Sequence, residues 1–421
     1  MRKQNDTINE MLNGFEPLEN FTRSLKLTFA QKMKVQLMLA AIAIYRTIIL
    51  PFKKKQTRML KEGLEKCIDM KIKVPRYNLP KENPGHHYLS EEEIQDFERT
   101  GFMKPFRVLS EEDAHARRKF IKDAYARGFD GYMFIDGELR DTLEKHDELN
   151  IGYAGLHQAL RYPEIRDILQ SPEIAHRMAS VLGPEVVVWR SQFFEKEAGS
   201  QGTFWHQTGA FREVAKQEKL VPTQSVSHGI LQLTAWVALT DVTIKNGALR
   251  IMPGTFTDGR IEFLQAYVQD NMIDYLARLP RKSLPQLIKA ALFSSGSFIR
   301  SQALFLTIPL LIPDIFEGNE VVDLEVKAGE AVIFTSMNMH SSYNNVTQDQ
   351  ERFSLVGRYT ANHVKVFPNT DHSYLGTPEG IKPFSLEKWA CIQAHGEDSY
   401  GYNKILKEKT GQEPVKDKVM V

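Results

Sequence analysis

From Pro184 onward the apolar residues of this chain recur at every second position, whereas before it they follow helical spacing. The clearest stretch places Leu231, Leu233, Ala235, Val237 and Leu239 on one side of an extended segment, with Gln232, Thr234, Trp236 and Ala238 on the other. Strict alternation of this kind is the pattern of a strand and scatters apolar groups around a helix. Val186 to Arg190, continuing through Ser191 to Glu195, predicts an earlier strand. Ala248 to Met252, Ala331 to Phe334 and Arg352 to Thr360 predict later ones, the last of these being the last clear strand. Asn246-Gly247 predicts a hairpin, and Pro253-Gly254 and Ala328-Gly329-Glu330 predict turns.

Upstream, the punctuation is helical. Ser90-Glu91-Glu92-Glu93 has the form of a capping box and predicts a helix that Gly101 stops. Ser110-Glu111-Glu112-Asp113 predicts a longer helix ending near Gly128, and Ser171-Pro172-Glu173 opens another that runs up to Gly183. About a hundred residues of helix thus precede the first predicted strand. Helices first and many short strands after indicate an α+β chain, an antiparallel barrel or jelly roll with helices packed outside.

The 421 residues, 42% apolar and 25% charged, suffice for one large domain with an appendage or for two domains. A net charge of +1 excludes a polyelectrolyte built to hold nucleic acid. That charge is unevenly divided. Residues 1–88 hold 17 Lys and Arg against 8 Asp and Glu, a net of +9, which leaves −8 for residues 89–421. A basic extension on an acidic body points to an acidic partner, either an anionic membrane surface or an acidic protein. Two cysteines, Cys67 and Cys391, make no disulfide framework and no Cys-x-x-Cys pattern, as expected of a reducing cytosol. The first residues contain no signal-peptide core, so the expected location is the cytoplasm, with peripheral membrane contact through residues 1–88 as an added reading.

Within that extension residues 25–62 read as helical. The apolar run Leu37 to Tyr45 is interrupted by Arg46 and Thr47, short of the about 20 uninterrupted residues that a membrane span needs. Lysines flank it, so it suits either a helix packed on the main domain or one lying at a membrane interface. A second apolar segment interrupts the strands at about 258–320, with Ala303 to Ile312 at its centre. It reads either as a helical layer or as a lid over a greasy substrate.

The chemistry centres on His206, in Gly202-Thr203-Phe204-Trp205-His206-Gln207-Thr208, and His340, in Ser336-Met337-Asn338-Met339-His340. Two histidines separated in this way read either as two thirds of the two-His-one-carboxylate face of non-haem iron(II) oxygenases or as hydrogen-bonded surface or core imidazoles. The position where the carboxylate belongs is Thr208. Arg352 and Arg358 lie six residues apart on one predicted strand, so both guanidiniums project from the same face. An arginine fork matches a carboxylate in two hydrogen bonds, as a keto-acid cosubstrate with a distal carboxylate requires.

Trp189 to Phe194, Gly202 to Gln207 and Asn246 to Thr255 resemble the phytanoyl-CoA dioxygenase superfamily. Arg358-Tyr359, Val364 to His372, Ser385 to Trp389 and Tyr402-Asn403 are similar, within it, to the syringomycin-type non-haem iron halogenases. The likeness runs from about Leu89 to Lys404 and is poor through 258–320. It implies a double-stranded β-helix, cupin-like core in residues 89–421 behind a helical extension in 1–88. Its cofactors would be iron(II), 2-oxoglutarate and O2, with chloride in addition. By the same likeness His206 and His340 correspond to iron ligands, and Arg352, Thr203 and Trp236 to the site of the distal carboxylate. Thr234 and Arg358 correspond to the polar shell of the halide and Phe211 to its apolar wall.

Two positions depart from that pattern. The halogenases have Ala or Gly where this chain has Thr208, and Asn where it has Glu213. The function expected is iron- and 2-oxoglutarate-dependent chlorination of an aliphatic carbon, on an acyl or aminoacyl group borne by a carrier protein. Hydroxylation of a lipid-like or acyl substrate is the alternative. A binding protein with a degenerate metal site is a third reading.

Overall fold

The computed structural model describes residues 28–66, 72–80, 85–203, 205–207, 219–224, 230–261, 263–264, 276–277, 284–285, 288, 320–377 and 380–407. Residues 1–27, Cys67, Thr208, Phe211, Glu213 and the apolar stretch Ala303–Ile312 lie outside them.

The described helices are α1 (Phe29–Ile44), α2 (Lys54–Lys66), α3 (Glu91–Thr100), α4 (Glu111–Ala126), α5 (Gly137–Lys145), α6 (Ile151–Ala154), α7 (Pro163–Leu169) and α8 (Pro172–Leu182). Arg46 and Thr47 do not end the first helix, which continues through a wide turn at Tyr45–Ile49 and a tight one at Leu50–Phe52. The Ser90 capping box forms in both directions, and Gly101 closes α3 in the left-handed region at φ 71°. At Ser110 the box is altered. Its side chain accepts from the Asp113 N–H at 3.0 Å, while its hydroxyl donates to the Asp113 carboxylate at 2.9 Å. Ser171 makes no side-chain cap, and Pro172 in the first turn starts α8 instead.

The strands are β1 (Phe106–Arg107), β2 (Val186–Lys196), β3 (Leu220–Pro222), β4 (Leu233–Ala238), β5 (Leu249–Ile251), β6 (Val322–Leu324), β7 (Glu330–Thr335), β8 (His340–Ser342), β9 (Arg352–Ala361), β10 (Val364–Val366), β11 (His372–Thr377), β12 (Gly380–Ser385) and β13 (Ile392–His395). Six of them form one antiparallel sheet in the order β1-β7-β4-β9-β2-β13, and β6-β5-β8 form a second. Two features depart from the alternation pattern. Asn246-Gly247 closes no hairpin, because the strands on either side of it, β4 and β5, belong to different sheets. Its turn is held locally, by the Asn246 side chain bonding the Thr243 N–H and the Asp241 carbonyl. The edge strands β1 and β13 are too short and mixed to show a period, and β13 follows the strand expected to be last.

The large sheet is buried on both faces. Leu233, Ala235, Val237 and Leu239 turn toward a core shared with Ile165, Leu169 and Met178 of α7 and α8. Trp236, Ala238, Val332, Phe334 and Val356 turn the other way, onto Ile251 and Leu324 of the small sheet. The result is a mixed helix and sheet fold, with helices on the outer face and an inner space between two antiparallel sheets. Residues 72–80 are fastened to this body. Val74 and Leu79 enter the main core, and Arg76 pairs with Glu91 at 2.7 Å and Glu98 at 2.9 Å.

Candidate active site

The inner space holds a cavity of about 620 Å³, mouth included. Its wall brings together Thr203, His206, Thr234, Trp236, His340, Arg352 and Arg358, seven of the ten residues singled out in the sequence. The other three, Thr208, Phe211 and Glu213, lie outside the described residues.

The two histidines are set by backbone pairing. The His206 N–H donates to the His340 carbonyl at 2.9 Å and the His340 N–H to the His206 carbonyl at 2.9 Å. Such a bridge puts both side chains on one side, here with ring centroids 4.2 Å apart. Just upstream, Gly202 lies so close to β8 that a Cβ would come within 2.2 Å of the Ser342 carbonyl oxygen. The Thr203 N–H meets the Ser342 hydroxyl at 3.0 Å, continuing the same seam. His340 Nδ1 donates to the Asn338 carbonyl at 2.8 Å, which leaves Nε2 with its lone pair. Burial, then the neighbouring His206, pushes the His340 pKa well below the ordinary histidine value, so the ring is neutral, as metal ligation demands. Among the described residues no group of three His, Cys, Asp or Glu side chains completes a ligand set. A histidine pair with one lone pair directed by a backbone carbonyl nonetheless fits a divalent iron.

Across the cavity, Arg352, Val356 and Arg358 of β9 line one wall at even spacing, as the strand period requires. Thr234 stands directly opposite Arg358, and Trp236 opposite Val356. Arg352 is buried, its guanidinium carbon lying 5.4 Å from the Trp236 ring centroid. Its Nε has no hydrogen-bond partner, and among the described residues no carboxylate reaches it. Desolvation draws its pKa down to about 10.

Directly opposite Arg352 on the neighbouring strand stands Lys196, also buried, its Nζ donating to the Gln201 carbonyl at 2.6 Å. Burial first, and the charge of Arg352 second, bring the Lys196 pKa down to about 7. Arg352, on the cavity wall, is a buried guanidinium with an unpartnered Nε, so this end of the cavity fits a carboxylate of 2-oxoglutarate, with Lys196 behind it.

Sequence reasoning missed Lys196, because a lysine at the end of a strand reads as a surface residue. It also missed Ser336. The Ser336 hydroxyl lies 2.7 Å from Thr234 Oγ1 and accepts from Gln232 at 2.8 Å, while Gln232 in turn accepts from the Trp189 ring N–H at 3.0 Å. Only the three-dimensional closure of β4 on β7 joins these side chains. His157, by contrast, is a core histidine. It is buried between Ser191 and the Ala390 carbonyl, and its pKa is held down to about 3 by desolvation.

The family that the sequence matches, with the histidine pair on the cavity wall, assigns the class, a non-haem iron(II), 2-oxoglutarate-dependent oxidoreductase that uses O2. The sequence model of the family described as Phytanoyl-CoA dioxygenase (PhyH) matches residues 97–354, and the chain belongs to that family. The structure entitled CytC3 with Fe(II) and alpha-ketoglutarate is similar at 24% identity over 76% of this chain and 94% of that one, with a TM-score of 0.52. A second CytC3 structure is 25% identical over the same shares, also at 0.52. The carbocyclase SnoK from nogalamycin biosynthesis is 19% identical over 66% of this chain and 87% of its own, with a TM-score of 0.42. No curated protein sequence matches the chain.

Proposed function

We propose that His206 and His340 hold iron(II) at the mouth of a double-stranded β-helix, and that the enzyme halogenates an unactivated aliphatic carbon. The observation that carries the reading is the arrangement of one wall, with the histidine pair at one place and the buried Arg352 at another. Facing sheets of six and three strands support the double-stranded β-helix, and the CytC3 likeness at 25% identity supports the same assignment.

When bound, iron(II) with 2-oxoglutarate and O2 supplies the oxidising power that takes a hydrogen atom from an aliphatic carbon. The chain's own residues bind, orient and exclude water. Arg352 receives the distal carboxylate in its planar fork, with Trp236 stacked beside it and Thr203 at the rim. Thr234, tied to Ser336, and Arg358 opposite it form a polar, cationic wall suited to a halide. Phe194, Leu249, Phe334 and Val356 make the remaining wall apolar, which favours an acyl-type substrate and keeps water from the reacting carbon. The substrate class proposed is an acyl or aminoacyl group borne by a carrier protein.

The likeness of Arg358-Tyr359 and Val364 to His372 to the halogenases supports chloride over hydroxyl transfer, with Thr208 standing against it where they have Ala or Gly. Hydroxylation is the second reading, resting on the bulk of the same β-branched side chain. Incubation with iron(II), 2-oxoglutarate and O2 at increasing chloride tests the choice. Halogenation predicts that chloride alters the absorption of the iron–2-oxoglutarate complex, whereas an unaltered spectrum with succinate still formed selects hydroxylation.

A further inference from the structure

The cavity leaves one conspicuous feature of the chain unused, the 24-residue helix from Phe29 to Phe52. Its most apolar 18-residue window has a mean hydropathy of 1.8, enough by length and composition to cross a membrane, yet only 11% of that window is buried. A helix apolar on all sides is ordinarily enclosed by protein or by lipid. At about 100° per residue, the buried Val35 and Ile42 fall on one side of α1. Arg46, close to that side, donates from Nε to the Ala277 carbonyl at 2.6 Å. This is the face seated on the protein body.

The opposite face carries Phe29, Met33, Leu37, Ile44 and Ile48 in a single stripe. Leu37 is 63% exposed, Ile44 55% and Ile48 59%. Ala40 and Ala41 fill the positions between, and Thr47 is the polar residue at its edge. A seated helix cannot cross a bilayer without leaving its seat, but it can lie along one with its free face down.

Charge identifies the surface. Between Asn20 and Lys61 the chain has ten Lys and Arg and no Asp or Glu. Lys32 and Lys34 flank the stripe near its start, and Lys54, Lys55 and Arg58 follow its end, all of them exposed. Long basic side chains beside an apolar stripe can lay their methylenes along acyl chains and place their charges among phosphate headgroups. An acidic protein would meet the lysines but would leave the stripe in water.

We propose that the stripe Phe29-Met33-Leu37-Ile44-Ile48 seats this protein in the interface of an anionic lipid membrane, with its flanking lysines on the headgroups. The inference stands on the helix alone and is independent of the reaction assigned to the cavity.

The test is sedimentation of the full chain with phosphatidylcholine vesicles, with and without about 30% phosphatidylserine, at low and high salt. The variant is Leu37→Glu/Ile44→Glu/Ile48→Glu, which alters exposed positions only. Circular dichroism and thermal melting of both proteins monitor folding. We expect the wild type to sediment with anionic vesicles, to weaken with salt, and to lose at least about tenfold in partitioning in the variant at an unchanged melting temperature. Three results would overturn the proposal. In one the wild type ignores anionic vesicles. In another the variant binds them equally well. In the third the stripe drives lipid-free self-association, or binding to an apo acyl carrier protein, in place of vesicle binding.

Discussion

His206 and His340 are locked to each other through the main chain, each donating its N–H to the other's carbonyl at 2.9 Å, so their ring centroids lie 4.2 Å apart. The separation of the two imidazoles is therefore a property of the backbone seam that Gly202, Thr203 and His206 make with β8, and not of side-chain packing alone. Ligands spaced by the main chain in this way would be pre-organised for the iron proposed there.

Gly202 belongs to that seam. In Gly202→Ala the new methyl would meet the Ser342 carbonyl oxygen, and something must shift. The expected outcome is a folded protein whose iron(II) affinity drops by about tenfold or more while its far-ultraviolet circular dichroism is unchanged. Unaltered iron affinity, measured by anaerobic titration, would show that the seam does not set the ligand spacing.

On the proposed reading Arg352 binds the cosubstrate carboxylate and Arg358 the halide. Arg352→Ala is expected to weaken 2-oxoglutarate by roughly 2–4 kcal/mol, the cost of removing one half of a charged hydrogen-bonded pair. Arg358→Ala should leave that affinity much closer to normal and should reduce the response to chloride. The reverse order in a calorimetric titration would exchange the two assignments.

The binding of 2-oxoglutarate is expected to depend on pH if it places a carboxylate beside Lys196. Its folded pKa of about 7 lies below the 10.5 of a free lysine, so between those values the folded protein binds fewer protons than the unfolded chain. The group's contribution to stability therefore rises with pH across that window, and its burial penalty is full below about pH 7. A carboxylate placed beside Lys196 restores its charge, so binding above pH 7 takes up a proton and weakens as pH rises. Affinity measured from pH 7 to 9 should fall in wild type and be flatter in Lys196→Met. Equal slopes in the two proteins would place the cosubstrate away from Lys196.

Thr208 is the test of the halide assignment. Thr208→Gly should strengthen the effect of chloride on the iron–2-oxoglutarate spectrum by opening volume. Thr208→Asp should abolish it, because a carboxylate and a halide compete for one coordination position. Chlorinated product persisting in Thr208→Asp would mean that this residue does not face the iron.

Much of the site was legible in the sequence, because strand period alone decides which side chains share a wall. Thr234 with Trp236, and Arg352 with Arg358, needed only parity to be put on common faces, and all four line the cavity. Lys196 and Ser336 were not legible, since their roles arise from cross-strand neighbours, Arg352 for one and Thr234 for the other. Asn246-Gly247 misled for a related reason. A tight turn specifies a local reversal of the chain but not whether the next strand rejoins the same sheet, and here it enters the other one. The breadth of α1 was hidden by Arg46, which reads as an interruption until its bond to the Ala277 carbonyl shows that it faces the protein.

The central claim is that the histidine pair holds the iron on which 2-oxoglutarate is bound. Anaerobic titration of the full chain with iron(II) and 2-oxoglutarate, followed by visible absorption, reads this directly through the metal-to-keto-acid charge-transfer band. The account predicts a band at one iron per chain in wild type that disappears in both His206→Ala and His340→Ala, with both variants still folded. A band retained in both variants would contradict it.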